Sequence, residues 1–172
     1  RVRLGGIAKG AGMIHPGMSA TGRRPAALPG PPHATMLAFL TTDLAIQPKA
    51  LQLALEEAVA ASFNSITVDG DMSTNDTVLV LANGLAGNRL ITLQDARRRT
   101  PAFRRVQAAL GQLCLALATM MVRDGEGVHR VVTIRLEGAL DGSQADAAAR
   151  AVANSALVKT SWHGGDPNWG RE

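Results

Sequence analysis

The sequence predicts an α/β domain, because segments with strand patterns alternate with segments with helix patterns along a chain long enough to bury a core. The chain has 172 residues, of which 46% are hydrophobic and 19% are charged. That composition is typical of one ordinary folded domain and not of a disordered tail. No internal repeat period is visible in the sequence.

Short apolar or alternating runs predict the strands. These runs are residues 1–8, 36–40, 65–68 and 132–136. The first leads into a glycine-rich turn at Gly10–Gly12, and the third ends at the turn Asp69–Asp71. Residues 77–81 (TVLVL) are β-branched enough for a strand, yet the preceding Ser-Thr-Asn-Asp is equally suited to cap a helix. Both structures stay open for that segment.

Three segments carry helix signals. Pro48 opens a helix whose buried face is formed by Leu51, Ala54, Leu55, Ala58 and Val59. Thr100-Pro101 begins a long helix that continues to Val122. Ser143 with Asp146 resembles a capping box before an alanine-rich helix that ends near Leu157.

The charge and aromatic content argue against nucleic acid as a partner. Eighteen Lys and Arg against 14 Asp and Glu leave a net charge of +4, spread along the chain apart from Arg97–Arg99 and Arg104-Arg105. Three Phe, two Trp and no Tyr are too few for a base-stacking surface. We therefore expect no nucleic-acid partner.

The sequence also argues against a membrane-spanning protein, a disulfide-stabilised protein and a metal-binding protein. No uninterrupted apolar run reaches the roughly 18 residues of a membrane span, and the first residues lack the layout of a secretory signal. The single Cys excludes a disulfide framework, and the four His lack zinc-ligand spacing, so we expect no metal. Cys114, between two Leu residues, is expected to be a buried, inert thiol.

Residues alone assign no reaction to this chain. No Ser-His-Asp set is evident, and Lys9–Gly12 lacks the Gly-Lys-Ser/Thr ending of a phosphate loop, so a plain turn is the simpler interpretation.

Four segments taken together are more specific. They are Gly5–Ile14, Ala34–Asp43, Asp69–Thr77 and Leu157–Thr160 with its continuation Asp166–Arg171. In this order, across nearly the whole chain, they resemble the glutamate N-acetyltransferase/ornithine acetyltransferase family of arginine biosynthesis. The resemblance implies a layered α-β-β-α sandwich, of which residues 1–172 would be a partial domain truncated at both ends.

The resemblance also implies an enzyme that cuts its own backbone between Ala34 and Thr35 and then carries an acetyl group on Thr35. The donor would be N2-acetyl-L-ornithine and the acceptor L-glutamate, with no cofactor, although some family members also use acetyl-CoA as a donor. A free α-amine on Thr35 is able to accept the hydroxyl proton without help from histidine. The cleaved pieces would stay associated, as a heterotetramer.

Two further residues acquire roles from the resemblance. Lys9 matches a substrate-binding lysine, and a cation suits the α-carboxylate of both amino-acid substrates. Glu126 matches a family acidic residue, which would hold the substrate ammonium or manage protons on the leaving amine. Without the resemblance, Lys9 is a solvated loop lysine and Glu126 a turn acid.

The motif Asp69–Thr77 contains three more polar candidates: Asp69, Asn75 and Asp76. Buried, hydrogen-bonded turn residues would produce the same pattern, so these three stay outside the predicted catalytic set.

One departure from the family pattern is a Pro/Gly-rich stretch, Gly17–His33, which we expect to be an inserted loop or an untranslated stretch read into the sequence. Lengthening a loop costs only about 0.6 kcal/mol per doubling, but slack beside a scissile bond relaxes the strain that cleavage uses. The stretch contains a rival pair, Ala20-Thr21, followed by Gly22 and not by an apolar strand. Thr35 is therefore preferred.

The second departure is length, because family members extend beyond both ends and their oxyanion-hole Thr-Gly pair lies upstream. We expect this chain alone to cleave and turn over poorly. Two alternatives stay open: an N-terminal-nucleophile amidase or aminopeptidase that passes the acyl group to water, and a non-catalytic relic. The expected compartment is the cytoplasm for a bacterial protein, and the mitochondrial matrix or chloroplast for a eukaryotic one.

Overall fold

A three-stranded sheet forms the centre of the computed structural model, which describes residues 1–19, 36–167 and 170. The strands are β1 (Leu4–Lys9), β2 (Leu37–Thr42) and β3 (Thr77–Ala82), in the spatial order β1-β2-β3. β1 runs antiparallel to β2, and β2 runs parallel to β3. The fold class is therefore mixed α/β, as predicted.

The described residues form five α-helices, of which α1 and α3 pack against the sheet. They are α1 (Pro48–Ala60), α2 (Leu93–Arg97), α3 (Pro101–Arg123), α4 (Gly142–Asn154) and α5 (Ala156–Gly164), with a short 3-10 helix at Phe63–Ser65. α1 begins at Pro48 and buries all five predicted apolar positions, together with Ala50. α3 extends one residue beyond the predicted end.

The core lies between the sheet and the pair α1 and α3, which pack against each other. Ala38 and Leu40 of β2 point into it and are at most 1% exposed, while the intervening Phe39 is exposed. Phe63 and Phe103 are the largest fully buried side chains. This alternation gives the sheet one face covered by helices and one outer face.

By composition alone, α3 is also a candidate membrane-spanning helix. Its 23 residues are long and apolar enough to cross a membrane, a test that core helices of soluble proteins also pass. In this fold its inner face packs on α1 and β1, with Leu110, Cys114 and Leu117 buried. Cys114 is buried, as predicted, and burial raises the pKa of its thiol to about 11, which disfavours the reactive thiolate.

Two predicted strands are wrong. Residues 65–68 end the 3-10 helix and continue as irregular backbone, because Val68 makes one backbone hydrogen bond, to Ile14 O at 2.7 Å, and no ladder follows. Residues 132–136 are also irregular, with Val132 44% exposed. No segment within the described ranges pairs with them, and an alternating pattern forms a strand only beside a partner. The open segment at Thr77, by contrast, is a strand because β2 pairs with it.

The predicted cap at Ser143 is also wrong. The cap of α4 is Asp141, whose carboxylate accepts the Gln144 N–H at 2.8 Å. Asp146 instead forms an ion pair with Arg150 at 2.7 Å. The predicted single helix is interrupted at Ser155, which caps α5 in turn.

Only the beginning of the Gly17–His33 stretch lies within the described residues. Met18 N–H donates to Asn64 Oδ1 at 3.0 Å, and Asn64 Nδ2 donates to Met18 O at 2.9 Å, so the chain is fastened to the 3-10 helix there. The pair Ala20-Thr21 and the predicted cleavage site Ala34-Thr35 lie outside the described residues.

Candidate functional site

Lys9 is the last residue of β1, and the sheet places it next to the start of β2. In the antiparallel register Lys9 faces Leu37, which lies two residues after Thr35 in the sequence. Residues that alternate along a strand share a face, so Lys9 lies on the outer face of the sheet with Ile7. The pairing of β1 with β2 thus brings Lys9 next to the segment that follows Thr35, although the two are far apart in the sequence.

Glu126 lies against the glycine-rich loop that follows Lys9. Its N–H donates to Ala11 O at 2.8 Å. A Cβ atom on Gly12 would lie 3.1 Å from Glu126 Oε2, so the carboxylate occupies the space beside this glycine. Lys9 and Glu126, 117 positions apart in the sequence, therefore border the same short loop.

Asp69 binds the far end of that loop. Its Oδ2 accepts the Met13 N–H at 2.5 Å, and its Oδ1 accepts the Ile14 N–H at 3.1 Å and the Asp71 N–H at 3.0 Å. A carboxylate with three amide donors is held in one orientation. Asp69 thus lies at the candidate site, although it is not among the catalytic residues predicted from the sequence.

Asp76 secures the start of β2. Its Oδ1 accepts the Met36 N–H at 3.2 Å, and the side chain is only 6% exposed. Thr77 N–H donates to Met36 O at 3.0 Å, which continues the parallel pairing. The Met36 N–H belongs to the peptide bond formed by Thr35, so Asp76 holds the backbone directly after the predicted nucleophile.

Asn75 differs from these two acids, because the hydrogen bond recorded for its side chain is local: Ser73 Oγ donates to Asn75 Oδ1 at 2.9 Å. The spacing of acids in the motif Asp69–Thr77 was the available signal for Asp69 and Asp76. Their partners lie 40 to 56 positions away, which local sequence patterns do not reveal.

A cleft of about 510 Å³ adjoins Glu126 and is bounded by α3, α4, α5 and the irregular segment after α3. Arg130 Nη1 donates to Trp162 O at 2.7 Å, and Lys159 Nζ donates to Val68 O at 2.8 Å. Both acceptors are backbone carbonyls. The cleft is thus lined by these two basic side chains, by the Glu126 carboxylate and by the Arg150–Asp146 ion pair.

His15 follows the Asp69-bound residue Ile14 and is half-buried. Burial lowers the pKa of His15 below its ordinary value of 6.5, and the positive charge of Arg150 lowers it further, against the opposing effects of Asp146 and Asp69. Within the described ranges His15 Nδ1 is buried without a hydrogen-bond partner.

A pH dependence of stability follows from this lowered pKa. Below about pH 6.5 the unfolded chain binds a proton on His15 more readily than the folded chain does, so the free energy of unfolding falls as the pH drops. The contribution is complete above pH 6.5. Urea unfolding between pH 5 and 8 should show this acid-side loss, and His15→Gln should flatten it. An equal loss in the variant would contradict the assignment.

Metal ligation finds no support in this part of the chain: across residues 1–19 and 36–167, no group of three or more His, Cys, Asp or Glu side chains is arranged to hold an ion.

The fold and the site together define an α/β protein in which a lysine and a glutamate border one glycine-rich loop, an arrangement suited to the carboxylate and ammonium of an amino acid. A profile of the ArgJ family matches residues 1–171. The chain belongs to the ArgJ family.

Individual relatives agree with the family profile. The chain is 48% identical to the "Arginine biosynthesis bifunctional protein ArgJ" of Symbiobacterium thermophilum and 45% identical to the "Glutamate N-acetyltransferase" of Methanocaldococcus jannaschii, with 99% of the chain aligned in each case. It is also 45% identical to the mitochondrial "Arginine biosynthesis bifunctional protein ArgJ" of Cryptococcus neoformans, again over 99% of the chain. The chain spans 36% to 37% of the length of these relatives.

Proposed function

We propose that the protein containing this chain transfers an acetyl group from N2-acetyl-L-ornithine to L-glutamate, with Thr35 as the nucleophile. The observation that carries the proposal is the convergence of Lys9 and Glu126 on one loop beside the start of β2. The names of the relatives from Symbiobacterium and Methanocaldococcus support the same chemistry.

Self-cleavage prepares the nucleophile in this proposal. The Thr35 hydroxyl oxygen attacks the carbonyl carbon of Ala34, the peptide C–N bond breaks, and the hydroxyl proton passes to the released nitrogen. Water then hydrolyses the resulting ester, which leaves a carboxylate on Ala34 and a free amine and hydroxyl on Thr35. The free amine serves as the base in later turnovers.

Acetyl transfer follows in two covalent steps. The Thr35 hydroxyl attacks the acetyl carbonyl of the donor, its proton passes through the Thr35 amine to the leaving nitrogen, and ornithine departs. The uncharged amine of glutamate then attacks the acetyl ester, so that N-acetylglutamate leaves and the Thr35 hydroxyl recovers its proton. Lys9 binds the α-carboxylate of each amino acid, and Glu126 holds the ammonium or manages protons on the amine.

The scheme needs no cofactor, and acetyl-CoA remains an additional donor that the proposal allows. The name of the Cryptococcus relative includes mitochondria. We therefore propose that the protein resides in the mitochondrial matrix or chloroplast if its source is a eukaryote, and in the cytoplasm if its source is a bacterium.

We further propose that the sheet is one layer of an α-β-β-α sandwich. Its outer face exposes Ile7 (71%), Phe39 (39%), Leu79 (47%) and Leu81 (63%). Ile7, Phe39 and Leu79 face one another across the three strands, which forms a continuous apolar row. An exposed apolar row on a sheet is typical of a surface that a second layer covers. Such packing would keep the cleaved pieces together in the proposed heterotetramer.

Glutamate dependence tests the proposed function. The full-length gene product is incubated with N2-acetylornithine, with and without glutamate, and ornithine and N-acetylglutamate are quantified. We expect ornithine release to require glutamate and to match N-acetylglutamate formation, and we expect mass spectrometry to show fragments split between Ala34 and Thr35. Equal release without glutamate would indicate the amidase alternative, and an intact chain with no release would indicate a relic.

A further inference from the structure

The Asp69 carboxylate connects two segments that are far apart in the sequence, the turn at Asp69–Asp71 and the loop that follows Lys9. We propose that Asp69 is a positioning residue for the amino-acid site: it fixes the Lys9–Met13 loop so that Lys9 and Glu126 meet the same substrate. The inference rests on the proposed function, because it assigns Lys9 and Glu126 to substrate binding.

Both Asp69 oxygens are engaged where the loop ends, at Met13 and at the next residue, Ile14. Oδ2 accepts the Met13 N–H at 2.5 Å and Oδ1 accepts the Ile14 N–H at 3.1 Å. The Asp71 N–H, at 3.0 Å from Oδ1, holds the carboxylate in the orientation that both loop amides require. Asp69 is exposed, so the restraint comes from three bonds that converge on one carboxylate and not from burial. Hydrogen bonds to a charged acceptor are stronger than those to a neutral one.

The loop needs such a restraint, because Met13 has a φ of +57°. Residues other than glycine seldom adopt this left-handed conformation, and they keep it only where the surroundings impose it. The bond from the Met13 N–H to Asp69 lies at this residue. Without it, we expect the backbone between Gly12 and Met13 to relax.

Relaxation of the loop would disturb both substrate contacts. Glu126 lies against Gly12, with Oε2 3.1 Å from where a Cβ would stand, and its N–H is bonded to Ala11 O. Lys9 immediately precedes the same loop. A shift of the loop therefore changes the separation of the cation from the carboxylate, which decides how well both ends of an amino acid are held.

The fold itself does not depend on Asp69. The Val68 N–H bond to Ile14 O, at 2.7 Å, joins the same two segments without it. The Lys159 Nζ bond to Val68 O, at 2.8 Å, holds the segment before Asp69 to α5. Loss of the carboxylate should thus loosen the loop and leave the core in place.

The experiment uses Asp69→Asn in the full-length gene product. Asparagine keeps one acceptor oxygen but turns an amide NH2 toward a backbone N–H, so one of the two loop bonds is lost and two donors oppose each other. We expect KM for both N2-acetylornithine and glutamate to rise about tenfold, the effect of losing one charge-assisted hydrogen bond, with kcat much less affected. Cleavage between Ala34 and Thr35 should be retained.

The matched control is Asp95→Asn in α2, a carboxylate that likewise accepts a backbone N–H, from Thr92 at 2.9 Å, but lies away from the loop. It should leave both KM values unchanged. If Asp69→Asn does not fold, Asp69→Ser, which keeps one acceptor without an opposing amide, takes its place with the same expected rise in KM.

A double-mutant cycle with Lys9→Ala separates positioning from a merely structural role. If Asp69 acts through Lys9, adding Asp69→Asn to Lys9→Ala raises KM little further. Fully additive effects, unchanged KM values, or a loss of cleavage together with a lower melting temperature would each overturn the proposal. Failure of the proposed function is recognised separately: the unsubstituted gene product would release ornithine without glutamate or release none, or acetyl transfer would survive in Thr35→Ala.

Discussion

The Thr35→Ala variant of the full-length gene product is expected to lose acetyl transfer by about four orders of magnitude or more, because removal of a covalent nucleophile eliminates the acyl-enzyme route. The same change removes the hydroxyl that attacks the Ala34 carbonyl, so the chain should remain uncut. Glutamate-dependent ornithine release and intact-mass spectrometry measure the two effects on one preparation.

Two variants make this result specific. Thr35→Ser restores a hydroxyl and should recover cleavage and part of the transfer activity. Thr21→Ala alters the rival Ala-Thr pair and should leave both unchanged. Activity that survives in Thr35→Ala but disappears in Thr21→Ala would move the nucleophile into the Gly17–His33 stretch and contradict the assignment.

The second large effect concerns Phe63, a residue of the hydrophobic core. Phe63 is 0% exposed in the 3-10 helix, three residues before the irregular backbone that leads through Ile66–Val68 to Asp69. Phe63→Ala should lower the free energy of unfolding by about 3 to 5 kcal/mol, through lost burial and the cavity left behind. Urea unfolding of the full-length gene product measures the change.

Leu53→Ala provides the control, because Leu53 lies on α1 and is 37% exposed. Its removal empties little of the core and should cost about 1 kcal/mol or less. Equal losses in the two variants would mean that Phe63 is not the core residue that its burial indicates.

The residues of the candidate site differ in whether the sequence predicts them. Lys9 and Glu126 were predicted through resemblance to a family, and the structure places both beside one loop. Asp69 and Asp76 acquired partners only in the fold, since each binds backbone amides from a segment at least 40 positions away. Nothing in the immediate neighbours of either acid specifies those partners.

The sequence by itself determined the elements whose signals are local. Pro48 and Pro101 preset the first helical turns of α1 and α3, and apolar periodicity set the face that α1 buries. Tertiary structure alone decided the pairing-dependent features. Thr77–Ala82 became a strand beside β2, whereas residues 65–68 and 132–136, with similar patterns, did not. The physical reason is that a helix satisfies its backbone hydrogen bonds within its own segment, while a strand and a buried carboxylate depend on groups that only folding brings to them.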